Sequence, residues 1–181
     1  GIESGSNQVL KKIQKGFTVD DTRRFVEGAK KANIMLEGSF MMANYDENAD
    51  DIKKTVDFML ETKVKGPMAL TINYNGTLNY RRALKSGLIT DEIEYIRSLE
   101  KVYGKSYYEV ITGCMNGDLS YLNLSALPDQ ELYHTVSHEM RRYHTNGFNI
   151  RNVRFEPGVK KGEFKLTGNC PFCETELRTI D

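Results

Sequence analysis

Residues 34–42 (IMLEGSFMM) and 68–74 (MALTINY) decide the predicted fold. Each stretch is short and largely apolar, which is typical of the buried strands of a parallel sheet. Between them, apolar residues from Ile52 to Met59 recur at helical spacing behind Asn48, a residue that caps helices well. A strand, a helix and a second strand within about 40 residues predict βα units built on a parallel sheet.

Helices flank this central unit in the sequence. Ser6 can cap a short predicted helix whose apolar residues recur at helical spacing. Residues 18–21 (TVDD) have the form of a capping box, with Asp in place of Glu, and predict the start of a second helix. The predicted buried face of that second helix includes Phe25. Residues 77–86 predict a further helix, and another opens near residue 90. Residues 111–118 (ITGCMNGD) show little pattern and predict a loop.

The last third of the chain predicts one long helix followed by β structure. Pro128 stands where the first turn of a helix tolerates proline, and the helical pattern runs to about Thr145. The segments 150–155 and 164–166 read as strands. The predicted units are therefore 1–90, a helical extension over 91–147, and a small β segment over 148–181.

Composition limits the function classes. The chain has 181 residues, which suggests one domain with a small appendage, and 25 basic and 25 acidic side chains. A net charge of zero does not favour nucleic acid or an anionic membrane as a partner. No apolar run approaches the ~20 residues of a membrane span. Three cysteines, an odd number, indicate a reducing compartment, so we expect a cytoplasmic protein.

Several stretches, in order along the first ninety residues, resemble radical S-adenosylmethionine (radical SAM) enzymes, best the subgroup that carries a cobalamin-binding domain. They are GIESGS at 1–6, VLKKI at 9–13, KGFT at 15–18, FMM at 40–42, DDIKKTVDF at 50–58 and NGTLNY at 75–80. The resemblance implies the last strands of an incomplete six-stranded βα barrel of the TIM type. It also implies that the chain begins inside a domain, with the N-terminal half of the same protein as its partner.

The resemblance implies an iron–sulfur oxidoreductase-like enzyme. Its [4Fe-4S] cluster, held by cysteines absent from this chain, would cleave S-adenosylmethionine reductively to start radical chemistry on an unknown substrate. The parent protein would use cobalamin if it carries the subgroup's further domain. The chain alone is expected to be inactive and to supply no catalytic residue.

Three positions carry over from the resemblance as cofactor-binding residues. Glu3 matches a residue that accepts hydrogen bonds from the ribose hydroxyls, Lys15 a basic residue that pairs with the methionyl carboxylate, and Ser39 a polar group near the ribose. The Gly-Pro turns that usually follow the last two strands are replaced by Asn-rich segments at 43–48 and 73–77. Since Asn tolerates left-handed backbone, the turns are expected to survive.

Cys170 and Cys173 form a CxxC pair between predicted β segments, the spacing of a metal knuckle that binds zinc. The pair supplies two of four ligands, and the others would come from Cys114, a histidine, the missing half or a second chain. The alternative to an enzyme fragment is therefore a non-catalytic metal-knuckle interaction domain. His134 and His138 share one helix face, but Arg142 breaks the HExxH motif, so surface histidines or partial core packing are expected. A half barrel also exposes a sheet edge, which predicts self-association.

Overall fold

The described part of the protein is mostly helical. The structure, a computed structural model, describes residues 1–147, 151–157, 164–169 and 176–180. These residues form seven helices and five strands: α1 (Asn7–Lys12), α2 (Val19–Lys31), β1 (Phe40–Met42), α3 (Ala49–Thr62), β2 (Met68–Leu70), α4 (Leu78–Lys85), α5 (Glu92–Val102), α6 (Tyr107–Met115), α7 (Asp129–Gly147), β3 (Arg151–Pro157), β4 (Phe164–Asn169) and β5 (Glu176–Ile180). None of the described helices is both long and apolar enough to cross a bilayer.

The predicted helix starts are confirmed. Thr18 and Asp21 form a reciprocal capping box at α2, and Asn48 and Asp51 form a second one at α3. Each box satisfies two main-chain N–H groups that the first turn of a helix leaves without partners. Ser6 also occupies the N-cap position of α1, but its hydroxyl donates to Asp51 at 2.6 Å instead of capping its own helix.

The parallel sheet is smaller than the sequence predicted. Within the part of the chain that the structure describes, the parallel ladder joins Phe40–Met42 to Met68–Leu70, with Met41 opposite Ala69. Isolated bridges extend the pairing at two points, Glu3 to Phe40 and Glu37 to Lys65. The predicted strands over 34–42 and 68–74 are therefore mostly irregular chain.

The prediction of an incomplete TIM-like βα barrel is wrong. A barrel wall needs several strands paired along their length, whereas the parallel sheet of the described residues has two three-residue strands. The first residues of the predicted strand over 34–42 are not part of the sheet, and the side chains of Ile34 and Met35 are 58% and 92% exposed. A side chain at Gly66 would collide with the carbonyl oxygen of Gly38. The segments that contain Gly38 and Gly66 are therefore in direct main-chain contact.

A helix lies where the sequence predicted a loop. Residues 107–115 form α6, with a capping box between Ser106 and Glu109, so the predicted loop over 111–118 is wrong for most of its length. Ser106 and Glu109 lie five and two residues before the stretch without pattern at 111–118, and they supply the signal for the start of the helix. The long helix α7 is confirmed, and α6 and α7 both pack against the rest of the chain.

The main core lies between α3 and α7. The inward residues of both helices were predicted correctly from helical spacing, and they are almost fully buried. They are Ile52, Val56 and Met59 on α3, and Leu132, Val136, Met140 and Tyr143 on α7. Phe25 was predicted to be buried on α2 but is 66% exposed, while its neighbour Val26 is buried.

An ionic cluster around Arg142 joins the same two helices. The Arg142 guanidinium donates to Glu139 at 2.7 Å on its own helix and forms an ion pair with Asp57 of α3 at 2.7 Å. It also donates to the main-chain carbonyl of Lys53 at 3.3 Å. Glu139 is only 5% exposed, so Arg142 neutralises a carboxylate that water barely reaches.

The C-terminal strands form an antiparallel sheet in the order β3-β4-β5, which confirms β structure there. The segment that carries Cys170 and Cys173, between β4 and β5, lies outside the described residues.

Candidate functional site

Glu3 is held at the edge of the parallel sheet by its main chain. Its N–H donates to the carbonyl oxygen of Ser39 at 2.9 Å, and its own carbonyl oxygen accepts from the N–H of Met41 at 2.8 Å. Its φ is +71°, in the left-handed region that non-glycine residues seldom occupy. Two main-chain hydrogen bonds therefore fix the direction in which this side chain leaves the sheet.

Lys15 reaches Glu3 from the turn that follows α1. The left-handed residues Gln14 and Gly16 reverse the chain there, and the N–H of Lys15 donates to the carbonyl oxygen of Leu10. The Lys15 ammonium lies 3.1 Å from Glu3 Oε1, with the two side chains 27% and 16% exposed. The structure thus brings together two residues twelve positions apart that the sequence analysis had named separately.

Ser39 lies beside Glu3 through its main chain. Its carbonyl oxygen accepts from the N–H groups of both Ile2 and Glu3, at 3.1 and 2.9 Å, and its side chain is half-buried. The three predicted cofactor-binding positions therefore belong to one local arrangement: Glu3 at the sheet edge, Ser39 on the neighbouring segment and Lys15 in the turn after α1.

An apolar pocket of about 390 Å³ adjoins this arrangement. Its lining residues come from the start of the chain, from α2 with the turn before it, and from the approach to β1: Gly1, Ile2, Phe17, Asp21, Thr22, Phe25, Val26, Leu36 and Glu37. Two observations place the ion pair at its edge. A side chain at Gly1 would collide with Glu3 Oε1, and Lys15 Nζ lies 5.7 Å from the centre of the Phe17 ring. That distance is within range of a cation–π contact.

A buried polar cluster, not predicted from the sequence, lies at the carboxyl end of β1. Glu47 is fully buried, and its Oε2 accepts from the main-chain N–H of Asn44 at 2.8 Å and from the Asn44 side-chain amide at 3.2 Å. Burial raises the pKa of the Glu47 carboxyl to about 7, against the opposing effect of the Asn44 hydrogen bonds. The signal that could have found it is an Asn and a Glu three residues apart, just after a buried strand.

The loop around this cluster keeps a left-handed shape without glycine. Ala43 and Asp46 have φ of +61° and +54°. These two residues, and not the asparagines of the segment, take its left-handed positions.

Tyrosines close the carboxyl end of β2. The Tyr121 hydroxyl donates to the carbonyl oxygen of Thr71 at 2.8 Å, and the Tyr95 hydroxyl donates to that of Asn73 at 2.7 Å. The Thr71 hydroxyl bonds to the Asn44 side chain at 3.1 Å, which links the two strand ends. Burial raises the pKa of Tyr121 well above its usual value, so this hydroxyl stays a neutral donor.

The described residues hold no group of three His, Cys, Asp or Glu side chains arranged to bind a metal ion. His138 is exposed, as expected, and interacts with Glu139. Burial raises the pKa of the half-buried Cys114 thiol, which therefore stays protonated near neutral pH. The zinc site at Cys170 and Cys173 lies outside the described residues and stays a prediction.

Comparison with known proteins gives distant relatives that are named methyltransferases. The chain is 27% identical over 113 residues to the bacteriochlorophyllide d C-8(2)-methyltransferase of Chlorobaculum tepidum, a match that covers 60% of this chain and 25% of that protein. It is 29% identical over 90 residues to an uncharacterized methyltransferase of Pyrococcus horikoshii, covering 49% of this chain and 20% of that protein. No family model matches the chain.

These findings overturn the assignment to the radical SAM enzymes. The relatives are named for methyl transfer, no family model supports the assignment, and the parallel sheet is a pair of short strands instead of a barrel wall. The predicted [4Fe-4S] cluster and the cobalamin of the parent protein lose their basis with it. What remains is a distant similarity to proteins named methyltransferases, and the matched region covers a quarter or less of their length.

Proposed function

We propose that this chain is part of an S-adenosylmethionine-dependent methyltransferase and that Glu3, Lys15 and Ser39 contact the methyl donor. The observation that carries the proposal is the half-buried Glu3–Lys15 ion pair, fixed at the sheet edge by main-chain hydrogen bonds and bordered by an apolar pocket. The names of the relatives add support from an independent direction.

The two charged groups fit two polar groups of this donor, the ribose hydroxyls and the methionyl carboxylate. A carboxylate accepts two hydrogen bonds, which suits the neighbouring hydroxyls of a ribose. Since Oε1 of Glu3 faces Lys15, Oε2 is the oxygen presented to a further donor. The Lys15 ammonium carries three hydrogens, so it can hold Glu3 and still bond to the carboxylate of the methionyl group. Ser39 is held next to Glu3 by its main-chain carbonyl, and its side chain is half-buried.

S-adenosylmethionine, when bound, supplies a methyl group activated by the positive sulfonium. The residues of this chain bind and orient the donor. Glu3 would bond to the ribose and Lys15 to the methionyl carboxylate, and the limited exposure of both side chains strengthens their interactions relative to the same pair in water. Fixing the donor in one orientation lowers the entropic part of the barrier to methyl transfer.

The test is a calorimetric titration of the chain with S-adenosylhomocysteine, the demethylated product. Lys15→Met and Glu3→Gln should each weaken binding about ten- to a hundredfold, because each removes a hydrogen bond to a charged group worth roughly 1.5–3 kcal/mol. Lys12→Met is the matched control. Lys12 is also at the end of α1 and also forms an ion pair, with Asp46 at 2.7 Å, but that pair is separate from Glu3.

The proposal requires unchanged affinity in the Lys12→Met control and losses in both other variants. Equal affinities in all four proteins, or no binding by the parent chain, would refute the assignment of these residues.

A metal knuckle at Cys170 and Cys173 remains a separate proposal for this chain. It rests on the CxxC spacing alone. Metal analysis of the purified chain should find zinc that is lost in Cys170→Ser, and a metal-free parent chain would end that proposal. Self-association also stays a prediction, which light scattering of the purified chain tests directly.

A further inference from the structure

A small cavity lies beyond the carboxyl end of β2, where α5 and residues 120–122 cover the strand. Its volume is about 10 Å³. Volumes of this size, measured as the space open to the centre of a water-sized sphere, hold about one water molecule. Its lining residues include five with polar side chains: Asn73, Tyr95, Ser98, Ser120 and Tyr121. The cavity is thus both large enough and polar enough for a single water.

Asn73 contributes an acceptor that the protein leaves unsatisfied. The residue is 3% exposed, and its side-chain amide donates to the carbonyl oxygen of Leu122 at 3.4 Å. Its Oδ1 is buried and accepts no hydrogen bond from the described residues. Leaving a buried carbonyl without a donor costs about 1–3 kcal/mol. A group of this kind in a native protein usually has a water or ion as its partner.

Three of the nearby hydroxyls, those of Tyr95, Tyr121 and Ser98, cannot serve as that donor, because their hydrogens are already committed. Tyr95 donates to the main-chain carbonyl of Asn73, Tyr121 donates to the carbonyl of Thr71, and Ser98 donates to the carbonyl of Tyr95 at 2.6 Å. Each phenol oxygen still has a lone pair that can accept. Ser120 also lines the cavity, but its hydroxyl is not bonded to Asn73 Oδ1, which has no hydrogen-bond partner among the described residues.

We propose that one internal water molecule occupies this cavity and donates a hydrogen to Asn73 Oδ1. Its second hydrogen is donated to the phenol oxygen of Tyr95 or Tyr121. A water is the small neutral ligand that carries two donor hydrogens, and the cavity has no room for a larger one. The water would connect the end of β2 to α5 and to residues 120–122. This inference is independent of the proposed methyl transfer.

Nuclear magnetic resonance of the chain tests this directly. Cross-relaxation between a long-lived water and the Asn73 side-chain amide is expected, and oxygen-17 relaxation should count one long-lived water fewer in Asn73→Leu. Asn75→Leu is the matched control, since Asn75 is exposed two residues further along. Its water count should equal that of the parent chain.

Two results would overturn the proposal. One is the absence of any cross-relaxation to Asn73 in the parent chain, which decides the question even if Asn73→Leu does not fold. The other is an unchanged count of long-lived waters in a folded Asn73→Leu variant.

Discussion

Replacing Glu47 by Gln should change how the stability of this protein depends on pH. Glu47 is fully buried, and burial raises its pKa from an ordinary value of 4.5 to about 7. One carboxylate oxygen is bonded to Asn44, while Oε1 is buried and has no partner among the described residues. The folded protein therefore holds a proton on Glu47 at a pH where the unfolded chain has released it.

The sign follows from this difference. Between pH 4.5 and about 7 the folded state binds more protons at Glu47 than the unfolded state, so the stability supplied by this carboxyl is complete below the lower value and falls as pH rises. The difference between the two pKa values corresponds to about 3 kcal/mol at 1.36 kcal/mol per pKa unit. Gln has nearly the same shape, carries no charge and cannot titrate.

The assay is urea unfolding of the parent chain and of Glu47→Gln at about pH 4 and about pH 8. The free energy of unfolding of the parent chain, relative to the variant, should fall by about 3 kcal/mol between the two conditions. Other titrating groups cancel in this comparison. Glu27→Gln, an exposed site on α2, is the control and should show no such change. A constant difference between Glu47→Gln and the parent chain would refute the reasoning.

Two further predictions concern stability. Lys63 ends α3 with a left-handed φ of +57°, so Lys63→Gly should stabilise the chain by about 0.5–1 kcal/mol in urea unfolding. Lys54→Gly, inside the same helix, is the control and should destabilise the chain by a similar amount. A destabilising effect of Lys63→Gly would contradict the left-handed conformation of Lys63. Arg142→Met should cost about 2 kcal/mol, because it leaves Glu139 buried without its partner. Adding Glu139→Gln to that variant should restore part of the loss, and full additivity of the two changes would argue against a shared ion pair.

The helices could be predicted because their signals are local. The capping pairs at Thr18 and Asn48 and the apolar spacing along α3 and α7 act within one or two turns of chain, and the structure confirms them. Phe25 shows the limit of such patterns. Helical spacing identifies an apolar face, but whether another element covers that face depends on parts of the chain distant in sequence.

The strands and the buried polar cluster could not be predicted in the same way. A short apolar run does not say how many of its residues find a hydrogen-bonding neighbour, and only three of the nine residues at 34–42 form β1. The cluster at Glu47 depends on residues up to 79 positions later, since Tyr121 and residues 122–126 cover the strand ends. The pairing of Glu3 with Lys15 likewise needed the turn geometry at Gln14 and Gly16.

The most direct test of the proposed donor site is a titration of the isotope-labelled chain with S-adenosylhomocysteine, followed by amide and lysine side-chain resonances. The account predicts that the largest shifts occur at Glu3, Ser39 and the Lys15 ammonium, with smaller ones at Met41, whose N–H is bonded to Glu3. Shifts confined to other parts of the chain, or a spectrum unchanged by saturating ligand, would contradict it.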